Sequence, residues 1–148
     1  MKQPNVQDQH TRQQSLRLLM KGVAEDVKAY RTLQTLLEQQ FHAALRYQAT
    51  PLSELAAQIT ALVEALEQTR RQRLVLVEHL LGAGSTMAAV FPLVSDSPRT
   101  ALESGWQLLE QLVLDCKQRN LRNSKLMMEQ QDMMQKIMHG EEQIYAPV

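Results

Sequence analysis

The sequence predicts an all-α protein, folded as an elongated antiparallel three-helix bundle with coiled-coil-like packing. Three long stretches place apolar residues at steps of three and four, the period of one helix face. Aromatic residues make up only 4% of the chain, whereas strands favour aromatic and β-branched side chains. The 148 residues, 44% of them apolar, are enough for a single helical domain over residues 1–148.

The first helix is predicted over residues 10–48, where apolar residues recur on one face. The nine residues before it are mostly Gln, Asn, Asp and Pro and offer little to bury, so residues 1–9 are predicted to be a flexible N-terminus. The apolar positions of this helix are Leu16, Met20, Val23, Val27, Tyr30, Leu33, Leu37, Phe41 and Ala44.

The second helix is predicted over residues 50–81. Thr50 marks its start, because Pro51 disfavours the α conformation in the residue before it and suits the first helical position. Gly82 and Gly84 are predicted to end the helix. Its apolar face is broad enough to pack against two neighbours. The stripe consists of Leu52, Leu55, Ile59, Leu62, Leu66, Thr69, Arg73, Leu76 and Leu80.

Residues 85–96 are too apolar for a free linker and too short for another long helix. We expect this segment to fold over one end of the bundle. The third helix is predicted over residues 97–139, with Ser97 as its cap and Pro98 at its first position. Gly140 is predicted to end it, which leaves residues 141–148 as a flexible tail.

The third helix carries one seam of core-type positions that are four and three residues apart. The first half of this seam is typical of a protein core, whereas the second half places two Asn and one Gln among Met side chains. Five Met lie between Met127 and Met138, and a helix spreads them over more than one face, so part of the cluster should be exposed. The seam reads Leu102, Trp106, Leu109, Val113, Cys116, Asn120, Asn123, Met127, Gln130, Met134 and Ile137.

The composition argues against an enzyme and predicts no cofactor and no metal. The four histidines are far apart in sequence, and no metal, phosphate-loop or nucleophile motif is present. Glu38 and His42 share one helix face, but structural solvation explains them better than a metal site. Cys116 on a packed helix is interpreted as a small buried hydrophobe.

Charge patterning gives no reason to expect nucleic acid as a partner. Sixteen basic and sixteen acidic residues cancel, so no overall field attracts a polyanion. Arg70, Arg71 and Arg73 form one basic cluster, but nearby glutamates favour a salt-bridged helix face over a phosphate site. No stretch approaches the roughly 20 apolar residues of a spanning helix, and the N-terminus lacks a signal core. We expect a cytoplasmic protein without membrane insertion.

Asn120 and Asn123 on the seam have two explanations. They either fix the register between helices, as polar core positions do in coiled coils, or they bind the backbone of a partner. We favour register.

Part of the third helix carries a motif that consists of Leu108, Leu109, Leu112, Cys116, Asn120, Leu121, Arg122, Asn123, Leu126, Gln130 and Gln131. This motif resembles the C-terminal signature of the FlgN family of flagellar export chaperones. Two further runs, residues 36–45 and 66–73, are similar to the first and second helices of that family, so that the resemblance spans residues 16–145. Val63 to Ala65, where members often carry a lysine, and the tail after Tyr145 depart from the family pattern.

The resemblance implies a cytosolic chaperone that binds the C-terminal amphipathic helices of hook-associated proteins of the FlgK and FlgL type. Such a chaperone prevents premature assembly and delivers its client to the flagellar export gate, to which Tyr145 is assigned as a weak contact. The alternative is a structural coiled-coil scaffold or adaptor that self-associates through the third helix, and a weak homodimer is compatible with both. The predicted partner-binding residues are Asn120, Asn123, Met127, Gln130, Met134, Ile137 and Met138.

Overall fold

A computed structural model describes the backbone of residues 6–145 and the side chains of residues 7–140. Three long α-helices and one short 3-10 helix make up this part of the chain, and no strand occurs in it. The all-α prediction is therefore confirmed. In chain order the elements are α1 (Val6–Leu45), α2 (Ala49–Leu81), the 3-10 helix (Met87–Leu93) and α3 (Asp96–Tyr145).

Helix α1 begins earlier than predicted. Residues 6–9 belong to the helix, so their assignment to a flexible N-terminus is wrong, while residues 1–5 lie outside the described part. Polar residues such as Gln are good helix formers even where nothing buries them, and Asp8 in the first turn complements the helix dipole.

The turn between α1 and α2 explains why α1 stops at Leu45 and not at residue 48. Tyr47 adopts a left-handed φ of 54°. Its amide donates to the carbonyl of Ala44 at 3.1 Å, and the Gln48 amide donates to Ala43 at 3.0 Å. These two bonds form the motif that commonly closes a helix C-terminus. Helix α2 then starts one residue before the predicted boundary, and it ends at Gly82 (φ 93°) with Gly84 (φ 81°) following, as predicted.

Helix α3 begins one residue earlier than predicted, at Asp96. The carbonyl of Ser95 accepts the amide of Arg99 at 2.8 Å, so the predicted assignment of Ser97 as the cap and Pro98 as the first helical residue is wrong. Pro98 is the third residue of the helix. It is tolerated there because the first four amides of a helix have no partner within it.

Gly140 does not end α3, which continues to Tyr145. A glycine inside a helix costs only about 1 kcal/mol relative to alanine, and it stops a helix where it takes a left-handed φ. Gly140 takes no positive φ. Residues 141–145 are therefore helical backbone, contrary to the predicted flexible tail, and residues 146–148 lie outside the described part.

Helices α1 and α3 run parallel in a fixed register. Three side chains of α3, spaced seven residues apart, donate to three backbone carbonyls of α1, also spaced seven apart, and each pair is separated by 86 residues in sequence. We call this set the register ladder. Its donor–acceptor pairs are Cys116 to Tyr30 at 3.6 Å, Asn123 to Leu37 at 2.7 Å, and Gln130 to Ala44 at 2.9 Å.

Helix α2 runs antiparallel to α1, since Asp26 of α1 meets Arg73 of α2 whereas Leu37, further along α1, clusters with Ile59. Near the start of α1, the 3-10 helix fills the space between α2 and α3. Its residues Met87 and Val90 are buried in the larger core cluster. The expectation that residues 85–96 fold over one end is confirmed.

Helices α2 and α3 both pack on α1 but stay apart from each other. Over the described residues, no Cα atom of α2 lies within 8 Å of a Cα atom of α3. The expectation that α2 packs against two neighbours is confirmed, but these neighbours are α1 and the 3-10 helix and not α3. Val63 and Leu74 are nearly half exposed as a result. The physical reason is that the 3-10 helix separates the two helices at one end.

Candidate functional site

The end of α3 projects beyond the rest of the molecule. The register ladder pairs each residue of α1 with the residue of α3 that lies 86 positions later. By this offset, Leu45, the last residue of α1, lies level with Gln131 of α3. Residues 132–145, which we call the overhang, therefore extend past α1 over about 21 Å at 1.5 Å per residue. Every side chain from Gln131 to His139 is exposed.

The overhang concentrates exposed apolar side chains. Met133, Met134, Ile137 and Met138 each expose more than half of their surface. The expectation that part of the methionine cluster is exposed is thus confirmed. Folded proteins rarely leave several neighbouring large apolar side chains uncovered, and such patches mark interaction sites.

The structure separates the predicted partner-binding residues into two groups. Met134, Ile137 and Met138 lie on the overhang, and Met127 is half-buried just before it. Asn123 and Gln130 instead face α1 as donors of the register ladder. The remaining one, Asn120, lies apart from both groups and is exposed beside the space between α2 and α3. The side chain of Tyr145, the predicted export-gate contact, lies outside the described residues.

Asn123 serves the register between helices. It has no exposed surface, and its amide nitrogen donates to the Leu37 carbonyl and, at 2.9 Å, to the side chain of Gln40. Its side-chain oxygen accepts the guanidinium of Arg122 at 3.2 Å. A side chain enclosed in this way cannot contact a partner while α1 and α3 stay packed. These contacts support the first explanation for Asn123, namely that it fixes the register between α1 and α3.

One flank of the α1–α3 interface is closed by charged groups. Glu38 accepts hydrogen bonds from Arg122 at 2.7 Å and from Arg119. Asp115 accepts hydrogen bonds from Arg119 at 2.6 Å and from Gln34 at 2.7 Å. The hydrogen bond from Arg122 lowers the pKa of Glu38, and that from Arg119 lowers the pKa of Asp115. Both carboxylates therefore stay ionised and hold α3 to α1.

The basic cluster of α2 is engaged in ion pairs. Arg70 and Arg71 both pair with Glu67, at 2.8 and 3.3 Å. Arg73 points inward, donates to Asp26 at 2.6 Å, and lies with its guanidinium carbon 5.4 Å from the ring centroid of Trp106 on α3. The interpretation as a salt-bridged helix face is confirmed.

The thiol of Cys116 and the residue types that bind metals were the candidates for chemistry in the sequence. Burial raises the pKa of the Cys116 thiol to about 11, which keeps it protonated, as expected of a small buried hydrophobe. Over the described residues, no group of three or more His, Cys, Asp and Glu side chains is placed to hold a metal ion. None of the helices described is both long and apolar enough to span a membrane.

Two features escaped the sequence analysis. The first is an apolar cleft between α2 and α3, with a volume of about 450 Å³. The second is a row of exposed apolar residues on α3, Leu114, Leu121 and Met128, which lies beside the predicted seam. The seven-residue spacing of this row is the signal that sequence reasoning could have used.

Comparison with known proteins gives one match. A family model described as FlgN protein matches residues 16–140. No curated protein and no solved structure matches the chain. The matched region covers α1 from Leu16 onward, all of α2 and the 3-10 helix, and α3 as far as Gly140 in the overhang. Because that model spans most of the chain, the protein belongs to the FlgN family of flagellar export chaperones.

Proposed function

We propose that this protein is a cytoplasmic chaperone for hook-associated proteins and that its client docks on the distal part of α3. In this proposal the client supplies a C-terminal amphipathic helix, which the chaperone keeps unassembled until export. The family supports the export-chaperone role in general. The surface we assign to the client consists of Asn120, Met127, Met134, Ile137 and Met138.

The overhang is the observation that carries this proposal. The overhang continues a formed helix, so no new helix has to be nucleated, but it lies beyond α1. Most helix stability in proteins comes from packing against a neighbour, which α1 does not supply there. A client helix that covers Met134 and Met138 would remove their apolar surface from water and stabilise the overhang at the same time.

Methionine suits a contact that has to be released. Its unbranched, polarizable side chain adapts to different apolar surfaces, so it does not require one exact partner shape. In the same proposal, the elongated three-helix bundle is the rigid platform that presents the overhang. Tyr145 at the end of α3 is assigned to the export gate, where the client is handed over.

The test is a calorimetric titration of the full chain with the C-terminal segment of a hook-associated protein. We expect Met134→Glu with Met138→Glu to weaken binding at least about 100-fold, since two buried methionines are lost and two carboxylates are desolvated. Both side chains are more than half exposed, so the circular dichroism signal should stay native. Val75→Glu on α2, where Val75 is 63% exposed, is the matched control.

Unchanged affinity in the double variant would refute the docking surface, and absence of binding to the wild-type chain would refute the client class. The rival function is a scaffold that self-associates through the same exposed end of α3. Sedimentation of the full chain distinguishes the scaffold from the chaperone. A tight homodimer that Met134→Glu dissociates favours the scaffold, whereas a monomer, or a weak dimer that the client segment dissociates, favours the chaperone.

A further inference from the structure

A second apolar surface lies away from the overhang, in the cleft between α2 and α3. The floor of this cleft is formed by Tyr30 and Leu33 of α1. Its walls are Val63 of α2 and Val113 of α3, both of which line two adjoining cavities of about 450 and 190 Å³. Because the backbones of α2 and α3 stay apart along this length, the described residues leave the cleft open to solvent, and the side chains of Arg73 and Trp106 meet within it.

The α3 wall of the cleft continues into a row of exposed apolar residues. Leu114 lines the cleft and is 60% exposed, and Leu121 and Met128 follow at intervals of seven residues with exposures of 69% and 64%. Seven residues are nearly two helical turns, so these three side chains stand on one flank over about 21 Å. The opposite flank of α3 is closed by the ion pairs of Glu38 and Asp115. Only one flank is thus prepared for an apolar partner.

Charged residues accompany the row in a definite order. Glu110, Lys117, Lys125 and Asp132 follow one another seven, eight and seven residues apart, on the same flank as Leu121. None of the four side chains has a hydrogen bond or ion pair to another described residue. The row therefore presents the order negative, positive, positive, negative, and these charges are available to a partner.

This charge order disfavours a second copy of the chain. In an antiparallel pair centred on Leu121, Lys117 would face Lys125 of the other copy, and Glu110 would face Asp132. In a parallel pair each charge would lie near its own counterpart. Like charges in contact are unfavourable in either arrangement and act against pairing.

We propose that the cleft and the row Leu114, Leu121 and Met128 bind an amphipathic helix of a different protein, with acidic residues at its centre and basic residues at its ends. Such a helix lays its apolar stripe along the row and places its acidic residues beside Lys117 and Lys125. Because the order is symmetric about Leu121, the helix satisfies it in either direction. This site goes beyond the proposed function; it adjoins the client surface at Asn120 and reaches the overhang only at Asp132, the first residue of the overhang.

The test uses two synthetic helical peptides without tryptophan that share one leucine stripe and the same composition. One carries the order positive, negative, negative, positive along its flank, and the other carries the reverse. Trp106 is the only tryptophan of the chain and lines the cleft, so its fluorescence reports binding to the full-length protein. We expect the first peptide to bind about 10-fold more tightly at low ionic strength, and the preference to vanish in 1 M salt.

Variants assign the binding to the cleft. Leu114→Asp with Leu121→Asp should abolish binding, whereas Leu18→Asp, at a half-exposed leucine away from the cleft, should leave it unchanged. Lys117→Glu with Lys125→Glu should remove the preference for the first peptide. The variant that carries Met134→Glu with Met138→Glu should bind the first peptide with wild-type affinity. This result is therefore independent of the client experiment on the overhang.

Three outcomes would each overturn the proposal. They are equal affinity for the two peptides, no binding of either peptide, and undiminished binding to the variant at Leu114 and Leu121. A wild-type homodimer in sedimentation that Leu121→Asp dissociates would also overturn it, because the occupant would then be a second copy.

Discussion

The buried ion pair between Asp26 and Arg73 allows a quantitative test by a double-mutant cycle. The side chain of Asp26 is 4% exposed and that of Arg73 is 14% exposed, and the Thr69 hydroxyl donates a second hydrogen bond to Asp26 at 3.1 Å. The perturbations are Asp26→Leu, Arg73→Met and the combination of both. Removing one member of such a pair leaves the other charge buried without a counter-ion, which costs at least as much stability as removing both.

The structure sets the expected magnitudes. Asp26→Leu leaves a guanidinium that is close enough to solvent to reorient, so we expect the free energy of unfolding to fall by about 2 kcal/mol. Arg73→Met leaves a buried carboxylate with the Thr69 hydroxyl as its described donor, and we expect a loss of about 3 kcal/mol. For the double variant we expect a loss of about 2 kcal/mol, which corresponds to a coupling of about 3 kcal/mol.

The assay is urea unfolding at pH 7, followed by far-ultraviolet circular dichroism for all four proteins. Exposed Arg71, which pairs with Glu67 on the surface, provides the control, because Arg71→Met should change the stability by less than about 0.5 kcal/mol. If the losses of the two single variants simply add, Asp26 and Arg73 do not interact as the structure indicates. A double variant less stable than either single one by several kcal/mol would refute the same reasoning.

Two further predictions concern the α1–α3 interface. Asn123→Ala should lower the free energy of unfolding by about 2–3 kcal/mol in urea, because two buried hydrogen bonds and their packing are lost, whereas exposed Asn120→Ala should change it by less than about 0.5 kcal/mol. The carboxylates of Glu38 and Asp115 have lowered pKa values in the folded state, so their contribution is complete above the ordinary values of 4.5 and 3.8 and is lost as the pH falls through the lowered ones. The urea midpoint should therefore fall more between pH 6 and pH 3 in the wild type than in Glu38→Gln with Asp115→Asn, and an equal fall would contradict the assignment.

The three- and four-residue spacing of apolar residues predicted those parts of the fold in which one face of a helix packs against a neighbour. The seam of α3 is core or half-buried from Leu102 to Gln130 wherever α1 runs beside it, with Asn120 as the exposed exception. The same periodicity continues to Ile137, so the pattern alone cannot show where the partner helix ends. That point follows from the offset between α1 and α3, which the register ladder sets through tertiary contacts.

The separation of α2 from α3 also could not be deduced from apolar patterning. The broad apolar face of α2 predicts two neighbours, but the sequence does not show that the 3-10 helix occupies the space between α2 and α3 at one end. The predicted ends of α3 were wrong for a related reason. Glycine and serine are frequent at helix ends, but at Gly140 and Ser97 the continuous backbone hydrogen bonds of α3 outweigh these single-residue preferences.

The constant offset of the register ladder has a consequence for the order of folding. Helices α1 and α2 are joined by a turn of three residues, whereas each ladder bond closes a loop of 86 residues. Contacts between residues close in sequence form sooner, because less chain entropy is lost in closing the loop. We therefore expect the α1–α2 hairpin to form first, while α3 is still being synthesised, and α3 to dock last. The helix that carries both proposed binding surfaces is thus also the final element to join the native structure.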